Sequence, residues 1–138
     1  MSAPDFLDTN ILVYAYDAGS PRKQKLAQDL VRKALLGEGI TSAQALGEFA
    51  ATLLHKLTPK LRLEDVLSLL DALGPIAIVT TDGDTVRRAV EAHAKYGIHF
   101  YDGMIVASAE RAGCKRILSE DFSSGQKYFG VVAENPFV

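Results

Sequence analysis

Apolar positions along this chain fall into two alternating kinds of segment, short continuous runs and longer stripes at helical spacing. Phe6-Leu7 reads as a short buried strand leading into Asp8, and Ile11 to Tyr16 as a brief apolar helix directly behind it. Ser20-Pro21 predicts an N-cap followed by proline at the first helical position, opening a helix that runs to about Leu36 and stops at Gly37. Ile40 marks a very short strand. Ser42 can cap the next helix, where Leu46, Phe49, Ala50, Leu53, Leu54 and Leu57 form an apolar stripe that Thr58-Pro59 breaks. Leu63 to Leu73 is another amphipathic helix, closed by Gly74-Pro75. Ile76-Ala77-Ile78-Val79 has the unbroken apolar character of a strand covered on both faces. A helix from about Asp84 to Tyr96 ends at Gly97, and one beginning near Phe100 ends at Gly113. Arg116 to Ser119 and Val131 to Ala133 read as strands. Short strands separated by helices of this length predict an α/β fold, a single domain over residues 1–138 with a short central parallel sheet flanked by helices.

One position disturbs this pattern. Asp102 precedes Ile105, Val106 and Ala109 by three, four and seven residues, so it belongs to the side of its helix that should face the core. An unpartnered carboxylate in a low-dielectric interior costs several kcal/mol or more. Asp102 must therefore be a helix cap, half of a buried ion pair, or a ligand for a cation.

Functional groups in such a sheet gather at the carboxyl ends of the strands and at the helix starts beside them. Asp8 falls at the end of the first strand, and Asp121 just past the strand ending at Leu118 or Ser119. Asp102 lies in the first turn of its helix, and Glu48 in the second turn of the helix after Ile40. Each has an ordinary reading by itself. Asp8, followed by Thr9-Asn10, sits in a capping segment, and Asp102 can be an N-cap. Glu48 lies opposite the apolar stripe, beside Gln44 and His55, as a solvated glutamate would. Asp121 is simply a turn residue, and Glu120 is an equally good acid. Together, however, the acids repel one another, and a hard divalent cation resolves that repulsion. Mg²⁺ and Mn²⁺ prefer oxygen ligands, and Mg²⁺ keeps several waters, which suits phosphoryl chemistry.

Composition narrows the alternatives. The net charge is −2, so a site for nucleic acid must be a local basic patch or be centred on metal. A single cysteine, Cys114, excludes an internal disulfide and multi-Cys zinc sites, and reads as a packing residue. His55, His93 and His99 lack metal-ligand spacing. Met1-Ser2-Ala3-Pro4-Asp5 lacks the regions of a signal peptide, and the longest apolar run is far short of the ~20 residues that cross a bilayer. These features point to a reducing cytoplasm and no membrane association. No Ser-His-Asp arrangement, P-loop or dinucleotide fingerprint is present.

The motifs carrying these acids resemble those of PIN-domain nucleases. Phe6-Leu7-Asp8-Thr9-Asn10-Ile11-Leu12-Val13-Tyr14-Ala15 is similar to the family's opening, and Gln44-Ala45-Leu46-Gly47-Glu48-Phe49 to its second motif. Phe100-Tyr101-Asp102-Gly103-Met104-Ile105-Val106-Ala107-Ser108-Ala109 resembles the third, and Leu118-Ser119-Glu120-Asp121 the fourth, with Glu134-Asn135-Pro136-Phe137 a similar ending. Order, spacing and length resemble the VapC-type toxins of bacterial toxin–antitoxin modules. The resemblance implies an Mg²⁺- or Mn²⁺-dependent endoribonuclease in which Asp8 and Asp102 are the main metal ligands. Glu48 and Asp121 would complete the acidic pocket, partly through waters, and Thr9, Asn10 and Ser119 would hold the carboxylates in place. An activated water would cut RNA to leave a 5′-phosphate and a 3′-hydroxyl. A homodimer and an antitoxin that blocks the site are also implied. Gly103 departs from the alanine or larger residue common there, and is expected to leave room near the site while weakening the first turn.

RNA would need basic groups near the acids. Arg22, Lys23, Lys25, Lys56, Lys60, Arg62, Arg87, Arg88, Lys115 and Arg116 are the candidates, each by itself ordinary solvated surface. Two other readings compete. A phosphoacceptor receiver-like signalling domain also sets acids and Mg²⁺ at a sheet edge, but needs an aspartate ending a central strand. Here the strand taken as central, Ile76 to Val79, ends in Thr80-Thr81, and no lysine is well placed. A catalytically silent RNA- or protein-binding module could keep the pocket as a relic.

Overall fold

Phe6 and Ile117 pair across adjacent strands and face one way, while their neighbours Leu7 and Leu118 pair and face the other. That two-residue alternation divides the core, placing each pair in a different hydrophobic cluster on opposite faces of the sheet. The computed structural model describes residues 3–57 and 60–138. Met1 and Ser2 lie outside the described residues, as does the expected break at Thr58-Pro59.

Six strands form the sheet: β1 (Asp5–Leu7), β2 (Gly39–Ser42), β3 (Ala77–Val79), β4 (Arg116–Leu118), β5 (Lys127–Tyr128) and β6 (Val131–Glu134). Their spatial order is β3-β2-β1-β4-β6-β5, with every pairing parallel except β5 against β6. On one face, α1 (Thr9–Tyr14), α2 (Pro21–Lys33), α3 (Ala43–His55) and α4 (Leu63–Ala72) bury Leu12, Val31, Phe49, Leu53 and Val66 with Leu7 and Leu118. On the other, α6 (Phe100–Arg111) buries Ile105, Val106 and Ala109 with Phe6 and Ile117, and α5 (Gly83–Tyr96) packs outside it. The result is the α/β fold that the alternating pattern predicts.

Several helix boundaries follow the expected chemistry. Ser42 caps α3 by accepting from Ala45 N–H at 3.1 Å, and Gly97 closes α5 at φ 68°, where a side chain would be strained. Ser20 precedes Pro21 as expected, but its side chain makes no capping hydrogen bond. Beyond Lys33 the chain passes through a wider π turn over Ala34–Glu38, within which Gly37, at φ 94°, breaks the helix ahead of β2.

Two expectations are corrected. The apolar run Ile76 to Val79 is not a doubly covered central strand. β3 is the edge of the sheet, paired with β2 alone, and Ile78 is 41 % exposed while Ile76, just before the strand, is buried. An unbroken apolar run fits an edge as well as a centre, because pattern alone carries no information about the second neighbour. The parallel sheet holds over β3-β2-β1-β4-β6, and the two-residue β5, too short to show a period in the sequence, adds an antiparallel edge. The α3 stripe centres on Ala45, Phe49 and Leu53, leaving Leu54 40 % exposed.

Candidate functional site

Parallel pairing of β1 and β4 sets Leu7 beside Leu118, so the residues that follow, Asp8 and Ser119, emerge together at the carboxyl edge of the sheet. Asp8 N–H donates to Leu118 C=O at 3.1 Å and fixes that junction. Asp8 is also the N-cap residue of α1, and one carboxylate oxygen, Oδ1, accepts from Thr9 N–H at 2.7 Å. Its other oxygen, Oδ2, accepts from the Ser119 hydroxyl at 2.7 Å. The capping reading of Asp8 thus holds, alongside its place among the other acids.

Ser119 Oγ is a junction. It accepts from Asn10 Nδ2 and from Asp121 N–H, both at 3.1 Å, so its single proton is committed to Asp8. Asn10 Nδ2 also donates to Asp121 Oδ2 at 3.0 Å. Thr9 Oγ1 donates to Glu48 Oε2 at 2.9 Å, and Gln44 Nε2 to Glu48 Oε1 at 2.8 Å. Thr9, Asn10 and Ser119 therefore each touch one or more of the predicted acids. Gln44, which the sequence places beside Glu48 without assigning it a role, is a further polar partner of that acid. Its spacing of four residues before Glu48 was a usable signal.

Asp102 lies in the first turn of α6, but His99 is the N-cap, accepting from Tyr101 N–H at 3.2 Å. No ion pair or side-chain hydrogen bond to Asp102 occurs among the described residues. Of the three explanations for an acid at this position, cap and buried ion pair are thereby removed. Partial burial raises the Asp102 carboxyl above its ordinary range, the negative charge of Asp121 raises it further, His99 lowers it, and Glu48 adds a smaller rise. Asp8 is only 5 % exposed. Burial pushes its pKa up to about 6, the hydrogen bonds from Ser119 and Thr9 pull back, and Asp121 and Glu48 add repulsion. Asp121 and Glu48 thus act through space on both Asp8 and Asp102, from distant parts of the chain.

Glu120 and Asp121, which composition could not rank, have different surroundings. Glu120 accepts from Tyr14 OH at 2.6 Å and pairs with Lys23 Nζ at 3.0 Å, contacts that hold its carboxyl below the usual range. Lys23 is therefore engaged away from Asp8. Asp121 has Asn10 as its partner and adds its charge to that felt by Asp8 and Asp102.

No group of three or more His, Cys, Asp or Glu stands ready as a coordination cage among the described residues. The donor set is nonetheless oxygen-only, and no lysine or arginine pairs with it among the described residues, which fits a hard cation that binds through a few carboxylates and retained waters. Asp8, Glu48, Asp102 and Asp121 are the residues that could hold it. Beside them opens a cleft of about 560 Å³, lined by Thr9, Asn10, Glu48 and Asp121 and continuing past His55 and Lys56.

Gly103 does not behave as expected. A Cβ there would lie 2.6 Å from Ala89 C=O of α5, so the glycine permits close contact between α5 and α6 and leaves no room at the site. Among the candidate basic residues, Arg22 donates to Phe137 C=O, Arg62 pairs with Asp65, Arg88 with Glu110, and Arg116 with Asp5 and Glu134. Lys56 reaches the cleft.

The family model for the PIN domain matches residues 6–125. Solved structures share the fold at low identity. A toxin–antitoxin complex from Klebsiella pneumoniae superposes with a TM-score of 0.68 at 17 % identity, covering 96 % of this chain and 97 % of that one. VapC20 from Mycobacterium tuberculosis, described as a Sarcin-Ricin loop cleaving toxin, gives 0.65 at 17 % identity over 85 % of this chain and 89 % of that one. VapBC2 from Rickettsia felis, bound to a DNA fragment from its promoter, gives 0.65 at 19 % identity over 95 % and 97 %. No curated protein sequence matches the chain.

Proposed function

This chain belongs to the PIN-domain family, and on that premise we propose that it is a metal-dependent endoribonuclease, the toxin of a toxin–antitoxin pair. The observation that carries the reading is the convergence of Asp8, Glu48, Asp102 and Asp121 on one edge of the sheet with neutral donors around them. In this reading Asp8 and Asp102 are the principal metal ligands, and Glu48 and Asp121 complete the pocket. Bound Mg²⁺ or Mn²⁺ would acidify a water, orient the phosphodiester and neutralise the leaving oxygen.

The chain's own residues supply placement. Ser119 and Thr9 N–H fix both oxygens of Asp8, Asn10 aims Asp121, and Thr9 with Gln44 aims Glu48. Such neighbours set carboxylate orientation and affinity. The cleft past His55 and Lys56 gives RNA a path to the acids. An antitoxin and a second copy of this chain are the proposed protein partners. The solved complexes of similar fold support the first. Exposed Val86 and Val90, one turn apart on α5, offer apolar surface for a protein contact.

The test is cleavage of a structured RNA with and without Mg²⁺ or Mn²⁺, with Asp8→Asn and Asp102→Asn as controls. Cleavage should need the metal and both carboxylates. Equal cleavage by wild type and folded variants would refute the reading.

A further inference from the structure

A fifth acid lines the cleft. Glu120 immediately precedes Asp121 and shares the cleft with Thr9, Asn10, Glu48 and Asp121. Both of its carboxylate oxygens are engaged. Oε1 accepts from the Tyr14 hydroxyl at 2.6 Å, and Oε2 from Lys23 Nζ at 3.0 Å. The ammonium is held from several sides. Nζ donates to the Tyr14 hydroxyl at 3.3 Å and lies 4.8 Å from the centre of the Tyr14 ring and 5.6 Å from that of Phe137. Those two rings pack edge to face at 5.1 Å. Arg22, one residue before Lys23, donates to Phe137 C=O at 2.7 Å. The first turn of α2, Tyr14 and Phe137 thus box a lysine against the acid next to Asp121.

Resting on the metal-dependent reading, we propose that the cleft takes one divalent ion per chain and that Lys23, boxed against Glu120, supplies the charge a second ion would bring. Two-metal sites set their ions about 3.5–4 Å apart. Cations that close repel strongly, and carboxylates around both must offset the repulsion. Glu120 is the acid of the cleft whose charge is already cancelled. A second ion using it would have to displace Lys23, break the hydrogen bond from Tyr14, and meet the ammonium as a like charge. The Lys23 and Glu120 side chains are only 29 % and 25 % exposed, so salt screens their pairing less than it would a fully exposed pair. Asp8, Glu48, Asp102 and Asp121 have no lysine or arginine partner among the described residues, so a first ion meets no such competitor.

The experiment counts bound Mn²⁺ by titration calorimetry and records its electron paramagnetic resonance at saturation. It compares wild type with Lys23→Met, Lys23→Gln and the double variant Lys23→Met with Glu120→Gln, each checked for folding by circular dichroism. Wild type should bind one ion, with the signal of an isolated Mn²⁺. Each single variant frees Glu120 and should bind a second ion, magnetically coupled to the first. The double variant should return to one. Two ions on wild type overturn the proposal, and that count stands whether or not the variants fold. One ion only on the folded single variants overturns it as well, as does a second ion that persists in the double variant. Absence of any Mn²⁺ binding by wild type removes the metal-dependent reading itself, a result distinct from a wild type that binds two.

Discussion

Replacing Asp8 with asparagine should alter how stability depends on pH more than stability at any one pH. Asp8 has an ordinary carboxyl pKa of 3.8 when the chain is unfolded and about 6 in the fold, where burial is the main cause. Below the lower value the group is protonated in both states and costs nothing. Between the two, the native state holds a proton that the unfolded state has released, so stability falls as pH rises. Above the upper value the loss is complete. A difference of about two units corresponds to about 3 kcal/mol, a large part of the ~5–15 kcal/mol that holds a domain together. Asparagine does not titrate, so the variant escapes this loss. It incurs a different and pH-independent one. Both Asp8 oxygens accept hydrogen bonds, from Thr9 N–H and the Ser119 hydroxyl, and an amide can accept only at one, at a cost of about 1–3 kcal/mol.

The difference between variant and wild type therefore cancels the constant term when followed across pH. Urea unfolding in chelator from pH 4 to pH 7.5 should show the variant gaining on wild type by about 2–3 kcal/mol. Adding Mg²⁺ or Mn²⁺ at pH 7.5 should raise the midpoint of wild type and leave the variant nearly unmoved, because a ligand that binds only the native state stabilises it by mass action. Parallel pH profiles in chelator would refute the claim that Asp8 is buried without a countercharge.

Other outcomes follow from the same geometry. Asp102→Asn should abolish RNA cleavage while leaving the fold intact, and in chelator at neutral pH its thermal midpoint should equal or exceed that of wild type, since no hydrogen bond to Asp102 is lost and a repelled charge is removed; a circular dichroism melt beside the cleavage assay checks both. Gly103→Ala should lower stability by roughly 1–3 kcal/mol through the contact of its Cβ with Ala89 C=O at 2.6 Å, measured by urea unfolding. A stability equal to or above wild type would show that α5 and α6 separate easily. Cys114 is buried, with its thiol pushed up to about 12, so a thiol reagent at pH 8 should react only after denaturant is added.

What the sequence made legible was periodic or local. α2, α3 and α5 announce themselves by stripes at helical spacing and by the proline, serine and glycine at their ends. Asp8, Glu48, Asp102 and Asp121 could be placed on one edge because strand ends and helix starts map there in any sheet of this kind. What stayed hidden depended on residues far away in sequence. Ile78 is exposed because nothing pairs beyond β3. Gly103 faces Ala89, fourteen residues earlier on another helix, and no periodicity in either segment records how closely the two approach. Glu120 and Asp121 are adjacent acids with opposite surroundings, decided by Lys23 and Asn10 from the other end of the chain.

That last separation bears directly on how the site can work. Glu120 lines the same cleft, but its charge is paired with Lys23 and it accepts from the Tyr14 phenol. Asp121, one residue on, has an amide for a partner, which orients a carboxylate without removing its charge. The same distinction runs through the site: hydroxyls, amides and a backbone N–H hold Asp8, Glu48 and Asp121, while every arginine whose ion pair is described is spent elsewhere. Neutral donors fix geometry and leave repulsion in place, and on that ground an affinity for an external cation is proposed. A lysine placed within reach of Asp8 or Asp102 would stabilise the fold and compete directly with that cation. Introducing one at Gln44, beside Glu48, is therefore expected to raise the melting temperature in chelator and to weaken Mn²⁺ binding in titration calorimetry. A variant that melts higher and binds Mn²⁺ as tightly as wild type would break the link between uncompensated charge and metal affinity.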